Sequence, residues 1–119
     1  MKRILSLVAA LAVAATVFGV VAYAGPTRTN ATTVKVTAKD TFRFVLSRKS
    51  APHGKVTFKV TNKGRLKHDF KIAGKKTKLL GHNKTATLTV TLKKGKKYTY
   101  LCTVPGHAAA GMKGTFKAT

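Results

Sequence analysis

Apolar and polar side chains alternate with a period of two along most of the chain. In residues 55–61 the apolar side chains of Val56, Phe58 and Val60 occupy every second position, and lysine or threonine fills the positions between them. Residues 85–92 repeat the pattern with threonine at alternate positions. Because successive side chains of a β-strand point to opposite faces, both segments are predicted to be strands with one buried and one solvated face.

Several shorter segments carry the same pattern and are separated by glycine-containing turns. No segment has the three-to-four-residue apolar spacing of an amphipathic helix. Short strands separated by frequent turn signals predict an all-β domain that folds as a β-sandwich. The alternation in residues 55–61 and 85–92 fits antiparallel strands that are solvated on one side. The further predicted strands are residues 33–37, 41–47, 69–72, 98–102 and 114–118.

The N-terminal part differs from the rest in composition. Two basic residues precede an apolar run over residues 4–21, and Ala22-Tyr23-Ala24 follows as a small-x-small cleavage site. Residues 1–24 are therefore predicted to be a secretory signal peptide that is cleaved after Ala24; the alternative is an uncleaved membrane anchor formed by residues 4–21. Both interpretations place the remainder outside the cytoplasm, in the periplasm, the cell envelope or the medium. Residues 25–31 are predicted to be a flexible leader, and residues 32–119 a single domain.

Charge and cysteine content exclude several classes of site. The 119 residues include 24 basic and only 2 acidic side chains, which gives a formal charge of +22. Two acidic residues are too few for an all-carboxylate calcium or magnesium site, and they argue against catalysis by a pair of carboxylates as the basis for the function. The single cysteine, Cys102, allows neither an internal disulfide nor a four-cysteine metal site.

Three metal-binding residue types occur close together near the C-terminus. Cys102, His107 and Met112 offer a thiolate, an imidazole and a thioether, and His68 offers a second imidazole upstream. Two histidines and a cysteine thiolate with a weak axial methionine define a blue-copper electron-transfer centre. The predicted cofactor is therefore one type 1 copper ion.

These residues resemble the cupredoxins, the family of type 1 copper proteins. The resemblance extends over residues 52–58, Asn62-x-Gly64 and residues 68–70, and from Tyr100 through Met112. The Cys-x4-His-x4-Met spacing is similar to that of longer-loop members such as auracyanin and rusticyanin, whereas plastocyanin has a shorter loop. The resemblance implies a Greek-key sandwich of seven to eight strands with copper at one end.

The resemblance also implies a role for each donor. Cys102 would provide the short thiolate bond, and His68 and His107 the two imidazoles. His107 would be the donor nearest solvent, through which electrons leave. Met112 would be the weak axial ligand that favours Cu(I).

Asp69 departs from the asparagine that several relatives have after the upstream histidine. One interpretation is that it accepts hydrogen bonds from Thr103 and holds the ligand loop closed, which would tune the potential. The other is a solvated surface charge that pairs with Lys67 or Lys71. His53 and His82 lie in turn sequences and are predicted to be solvated residues outside the site.

The large positive charge indicates which kind of partner the protein would attract. A field of this size attracts anionic molecules, and we expect an acidic redox protein, with an anionic envelope polymer or membrane surface as further candidates. Nucleic acid is not expected, because the chain carries an export signal and has no groove-reading helix or aromatic platform. The predicted docking surface surrounds His107 and consists of Pro105, Ala108, Ala109 and Ala110.

Electron transfer is the leading functional hypothesis. The chain is expected to be a monomeric one-electron carrier of the cell envelope, not an enzyme, because all four protein donors would occupy the metal and four histidines are too few for a multicopper cluster. A copper-binding or copper-delivery protein would use the same residues and stays open as the alternative. A metal-free β-sandwich that binds a polymer is permitted by the basic surface, but it would not explain the presence of the four metal-binding residues.

Overall fold

The computed structural model describes residues 31–119, which form nine β-strands. The predicted signal peptide or anchor, residues 1–24, and nearly all of the predicted leader lie outside the described residues. The strands are β1 (Thr32–Lys39), β2 (Arg43–Leu46), β3 (Ser50–Ala51), β4 (Gly54–Asn62), β5 (Lys71–Ile72), β6 (Lys75–Lys76), β7 (Thr85–Leu92), β8 (Lys97–Leu101) and β9 (Lys113–Ala118). Within residues 31–119 there is no helix of the length and apolar character needed to cross a membrane.

The all-β prediction is confirmed, and each of the seven predicted strands is present. The strand count of seven to eight is too low, because β3 and β6 have two residues each and no alternation can develop over that length. The predicted strand 41–47 begins only at Arg43, because Phe42 takes a left-handed conformation with φ of 57°. The predicted strand 69–72 retains only Lys71 and Ile72.

The strands form two sheets. One has the order β2-β1-β4-β7, and the other has the order β3-β9-β8-β5-β6. Most neighbours are antiparallel, as expected, but β1 runs parallel to β4 and β3 runs parallel to β9. The two strands whose alternation indicated antiparallel pairing, β4 and β7, are antiparallel neighbours. A strand with one solvated face shows the same alternation of apolar and polar residues whether its neighbour is parallel or antiparallel. The sequence pattern therefore does not reveal the direction of the neighbouring strand.

The apolar faces of the two sheets enclose one core. Phe58 of β4 contacts Phe116 of β9, with ring centroids 5.2 Å apart, and Phe70, with centroids 5.3 Å apart. Phe70 in turn stacks on Tyr100 of β8 at 5.5 Å. These aromatic rings are buried and join one sheet to the other, so the molecule is a β-sandwich.

The opposite face of the first sheet carries lysine and threonine, and we call it the lysine–threonine face. Two pairs of threonine hydroxyls on β4 and β7 lie in contact at 3.0 Å, Thr57 with Thr89 and Thr61 with Thr85. The face comprises Thr33, Lys35, Thr37, Lys55, Thr57, Lys59, Thr61, Thr85, Thr87, Thr89 and Thr91. This face explains the polar half of the sequence alternation.

Candidate metal centre

His68 lies in the segment between β4 and β5, and its backbone is fixed on both sides. Its N–H donates to the carbonyl of Leu80 at 3.1 Å, and its carbonyl accepts from the Leu80 N–H at 2.7 Å. The preceding loop is held by Asn62, whose amide donates to the carbonyls of Leu66 and Leu80, both at 2.8 Å, and accepts from the Gly64 N–H. The imidazole of His68 is fully buried as a result.

Cys102 and Met112 are adjacent at the ends of two paired strands. Cys102 follows β8 and Met112 precedes β9, and the Cys102 N–H donates to the Met112 carbonyl at 3.1 Å. Both side chains are buried and pack in one small cluster with Ala38, against Phe42 and Phe44. The strand pairing therefore places the thiol and the thioether at the same end of the sandwich.

The loop between them folds back as successive turns. The His107 N–H donates to the Val104 carbonyl at 3.1 Å, and the Met112 N–H donates to the His107 carbonyl at 3.0 Å. Gly106 and Gly111 have φ of 84° and 112°, conformations that favour glycine. These turns direct His107 back towards Cys102 and leave its ring partly exposed.

The structure brings three of the predicted donors together. The Nδ1 atoms of His68 and His107 lie 3.1 Å apart, and Cys102 Sγ lies 3.6 Å from His107 Nδ1. One donor atom from each of the three residues falls within 4.8 Å of the others. Two imidazole nitrogens and a thiol sulfur converge on one point, beside a buried methionine, and this set suits copper.

Burial changes the acid–base behaviour of two of these donors. It raises the pKa of the Cys102 thiol, although backbone hydrogen bonds at Asp69 and Val104 act in the opposite direction. It lowers the pKa of His107, and the neighbouring His68 acts in the same direction. The imidazole is therefore kept neutral and able to donate a lone pair, whereas the thiol must lose a proton when a metal binds.

Asp69 lies directly beside this set. Its Oδ1 accepts a hydrogen bond from the Thr103 backbone N–H at 2.6 Å, and its Oδ2 accepts one from the Thr103 hydroxyl. Asp69 is 5% exposed, and among the described residues neither Lys67 nor Lys71 comes within 4.0 Å of its carboxylate. Of the two interpretations of Asp69, the geometry matches the hydrogen-bonded one, with the carboxylate joining the His68 segment to the residue after Cys102.

The turn between β1 and β2 also reaches the centre, and sequence reasoning missed it. Asp40 Oδ1 lies 3.0 Å from His68 Nε2, and the Phe42 ring meets the His107 ring edge-on with centroids 5.1 Å apart. The Arg43 guanidinium donates to the Ala110 carbonyl at 3.2 Å. Asp40 is one of only two acidic residues in the chain, which could have drawn attention to it. Nothing in the neighbouring sequence connects it with His68.

The remaining predicted residues lie around the centre or away from it. Pro105, Ala109 and Ala110 are exposed and Ala108 is half-buried, so the predicted docking surface is accessible around His107. His53 is exposed and its ring donates to the Thr119 carbonyl at 3.0 Å. His82 is also exposed and contacts the Gly64 carbonyl at 2.9 Å, outside the donor set.

Comparisons with known proteins agree with this geometry. Residues 24–119 match the family model described as copper binding proteins, plastocyanin/azurin family. A search of curated protein sequences gave no match.

Solved structures with a similar fold include two auracyanins and an azurin. Dithionite-reduced auracyanin from Roseiflexus castenholzii has a TM-score of 0.66 at 22% identity, covering 75% of this chain and 98% of its own. Auracyanin A from Chloroflexus aurantiacus, described as a blue copper protein, has a TM-score of 0.62 at 19% identity, covering 75% and 99%. An azurin from Methylomonas sp. strain J has a TM-score of 0.60 at 20% identity, covering 74% and 98%.

Proposed function

Because the chain belongs to the plastocyanin/azurin family of copper-binding proteins, we propose that it is a one-electron carrier with a single type 1 copper ion at this end of the sandwich. The observation that carries the proposal is the convergence of donor atoms from His68, Cys102 and His107 within 4.8 Å of one another. When bound there, copper supplies one-electron chemistry by changing between Cu(II) and Cu(I).

Four residues would bind the ion, and burial of three of them would shield it from water. His68 Nδ1, His107 Nδ1 and Cys102 Sγ would hold the ion, and the Met112 thioether would be a weaker fourth donor. His68, Cys102 and Met112 are between 0% and 1% exposed, so the protein excludes water from three of the four donors. Donors fixed by backbone pairing before the metal binds need little rearrangement when the charge of the ion changes.

His107 is the proposed route for the electron. It is the least buried of the four residues, and the small apolar residues Pro105 and Ala108 to Ala110 flank it in the same loop. A partner that docks on this surface would approach the imidazole edge closely. The proposed partner is an acidic redox protein, because a formal charge of +22 favours encounter with an anionic molecule.

The proposed location is outside the cytoplasm, and it rests on the N-terminal segment. A basic start, an apolar run over residues 4–21 and a small-x-small site are typical of exported proteins. A carrier that is released into the periplasm or medium and one that is anchored through residues 4–21 would both expose the docking surface to partners on that side.

The absorption spectrum of the Cu(II)-loaded chain tests the electron-carrier function. We expect an intense blue or green thiolate-to-copper band that bleaches on reduction and returns on oxidation. Cys102→Ser should abolish the band while the fold is retained, because the thiolate is its source. His53→Gln is the matched control: it removes an exposed imidazole outside the donor set and should leave the band unchanged.

The same measurement separates the carrier from its alternative. A copper-delivery protein would bind the ion weakly and reversibly, and would transfer it to a chelator without a stable redox cycle. Absence of the thiolate band in the folded, copper-loaded chain would contradict the carrier function and favour delivery.

Salt dependence tests the proposed partner. The second-order rate constant for electron transfer with an acidic redox protein should fall steeply between roughly 10 mM and 300 mM salt, because the Debye length shortens from about 30 Å to below 8 Å. A neutral small-molecule oxidant is the control and should show little change. A flat response with the acidic partner would exclude electrostatic steering.

A further inference from the structure

Both acidic residues of the chain lie at the candidate metal centre. Asp69 accepts hydrogen bonds from Thr103, as described above, and Asp40 contacts the imidazole of His68. Within residues 31–119 the Asp40–His68 contact is also the only pairing of acidic and basic side-chain atoms within 4.0 Å. Although the chain has many lysines, the carboxylate of Asp40 pairs with His68. It contacts Nε2 of the imidazole, whereas Nδ1 of the same ring faces His107 in the donor cluster.

Asp40 is fixed by the loop that precedes His68. Its Oδ2 accepts from the Arg65 N–H at 2.7 Å, and its Oδ1 accepts from the Leu66 N–H at 3.1 Å. The carboxylate packs so closely on Gly64 that a Cβ there would lie 2.0 Å from Oδ1. The two N–H donors of Arg65 and Leu66 hold the carboxylate in place as a hydrogen-bond acceptor, although its side chain is 37% exposed.

This contact constrains which nitrogen of His68 carries the proton. An ionised carboxylate is only an acceptor, so Nε2 must be the protonated nitrogen in the Asp40 contact. A neutral ring that is protonated at Nε2 leaves the Nδ1 lone pair free, and Nδ1 is the atom that lies 3.1 Å from His107 Nδ1 in the donor cluster. Carboxylates placed behind metal-binding histidines select the tautomer and increase the basicity of the donor nitrogen.

We propose that Asp40 is a positioning residue for the metal centre: it fixes His68 as the Nε2–H tautomer, directs the Nδ1 lone pair at the copper position, and stabilises Cu(II) relative to Cu(I). The negative charge behind the ring favours the more highly charged state of the ion. Asp40 therefore lowers the reduction potential. The inference extends the proposed function and depends on it only for the identity of the metal.

Nitrogen-15 NMR of the metal-free full-length chain, at a pH where the histidines are neutral, tests the tautomer. The ring of His68 should show the Nε2–H pattern in the wild type. Asp40→Ala should lose this preference and show a mixture of tautomers. An unchanged Nε2–H pattern in folded Asp40→Ala would overturn the proposal. Because no copper is present, this result is independent of whether the chain is an electron carrier.

Copper affinity and potential test the second part. Asp40→Ala should weaken Cu(II) binding by about 10- to 100-fold. If Cu(I) binding is unchanged, each tenfold loss raises the potential by about 59 mV. The thiolate-to-copper band should persist in both the wild type and the variant, because Asp40 is not a donor. An unchanged Cu(II) affinity in the folded variant would overturn the proposal.

Two further variants keep the test decisive. Asp40→Asn retains one acceptor oxygen for His68 but removes the charge, so we expect the tautomer to be retained and the potential to rise by less than in Asp40→Ala. Asp40→Asn also serves as the test if Asp40→Ala does not fold, and an unchanged potential in Asp40→Asn would overturn the proposal.

Thr91→Lys is the control for net charge, because it raises the charge by the same single unit at an exposed position on β7. An equal rise in Thr91→Lys would show that overall charge, and not the contact with His68, sets the potential.

Discussion

The metal-binding end and the lysine–threonine face are both polar, but their polar groups are organised differently. At the metal-binding end Asp40 and Asn62 each make at least two hydrogen bonds to the backbone, and Asp69 accepts one from the backbone N–H and one from the hydroxyl of Thr103. On the lysine–threonine face the contacts are between neighbouring hydroxyls, such as Thr57 with Thr89. Both acidic side chains thus help to hold the centre, whereas within residues 31–119 no lysine forms an ion pair with an acidic side chain.

This difference predicts that equivalent substitutions have very different effects in the two regions. At the metal-binding end a side chain is fixed by several partners, so a change in one of them displaces the others. On the lysine–threonine face each side chain is solvated and has few partners. Substitutions of decreasing severity test this contrast.

Gly64→Ala should have the largest effect. A Cβ at Gly64 would meet Asp40 Oδ1 at 2.0 Å and the Asp40 backbone nitrogen at 3.0 Å, so the turn must shift. We expect the free energy of unfolding to fall by about 1–3 kcal/mol, together with weaker Cu(II) binding, because His68 loses its carboxylate partner. Chemical denaturation and a copper titration measure the two effects.

Gly81→Ala is the matched control. The nearest atom to a Cβ at Gly81 is Lys84 Cγ at 4.0 Å, and Gly81 has no left-handed φ. The same chemical change should therefore leave stability within about 0.5 kcal/mol. Equal effects at Gly64 and Gly81 would contradict the importance of the close approach of Asp40.

Asp69→Asn should have an intermediate effect. An asparagine can accept only one of the two hydrogen bonds from Thr103 without rearrangement, and it removes a negative charge next to the donor set. We expect the free energy of unfolding to fall by about 1 kcal/mol and the midpoint potential to rise, because Cu(II) loses stabilisation. Redox titration of the copper-loaded variant measures the potential, and a value that does not rise would show that the Asp69 charge does not act on the copper.

Thr89→Val should have the smallest effect. It removes the hydroxyl contact with Thr57 on the lysine–threonine face but keeps the shape of the side chain and the β-propensity. We expect stability to change by less than about 0.5 kcal/mol, with the absorption band and potential unchanged. A change in potential comparable to that of Asp69→Asn would remove the distinction between the two regions.

The parts of the structure that depend on local pattern could be predicted from the sequence. The alternation around Phe58 and along residues 85–92 gave the long strands and their buried faces, since side-chain direction in a strand has a period of two. The identities and order of His68, Cys102 and His107 indicated a copper site because few metals select that combination of donors. The structure brings these three residues together.

The parts that depend on long-range contacts could not be predicted. The strands β3 and β6 exist only through pairing with β9 and β5, and the parallel pairing of β1 with β4 leaves no local trace. Asp40 and His68 are 28 residues apart, and a turn sequence does not reveal which distant side chain its carboxylate will contact. Phe42 takes a positive φ that sequence statistics do not favour for an aromatic residue.

The backbone hydrogen bond between Cys102 and Met112 separates the strand register from the loop that carries His107. It continues the ladder in which Leu101 of β8 is paired with Lys113 of β9, so the register of the two strands is closed before the loop begins. Residues 103–111 lie outside that register. Insertions or deletions there would move His107 and leave the pairing of β8 with β9 in place. The length of the loop is therefore independent of the register of the strands that carry Cys102 and Met112.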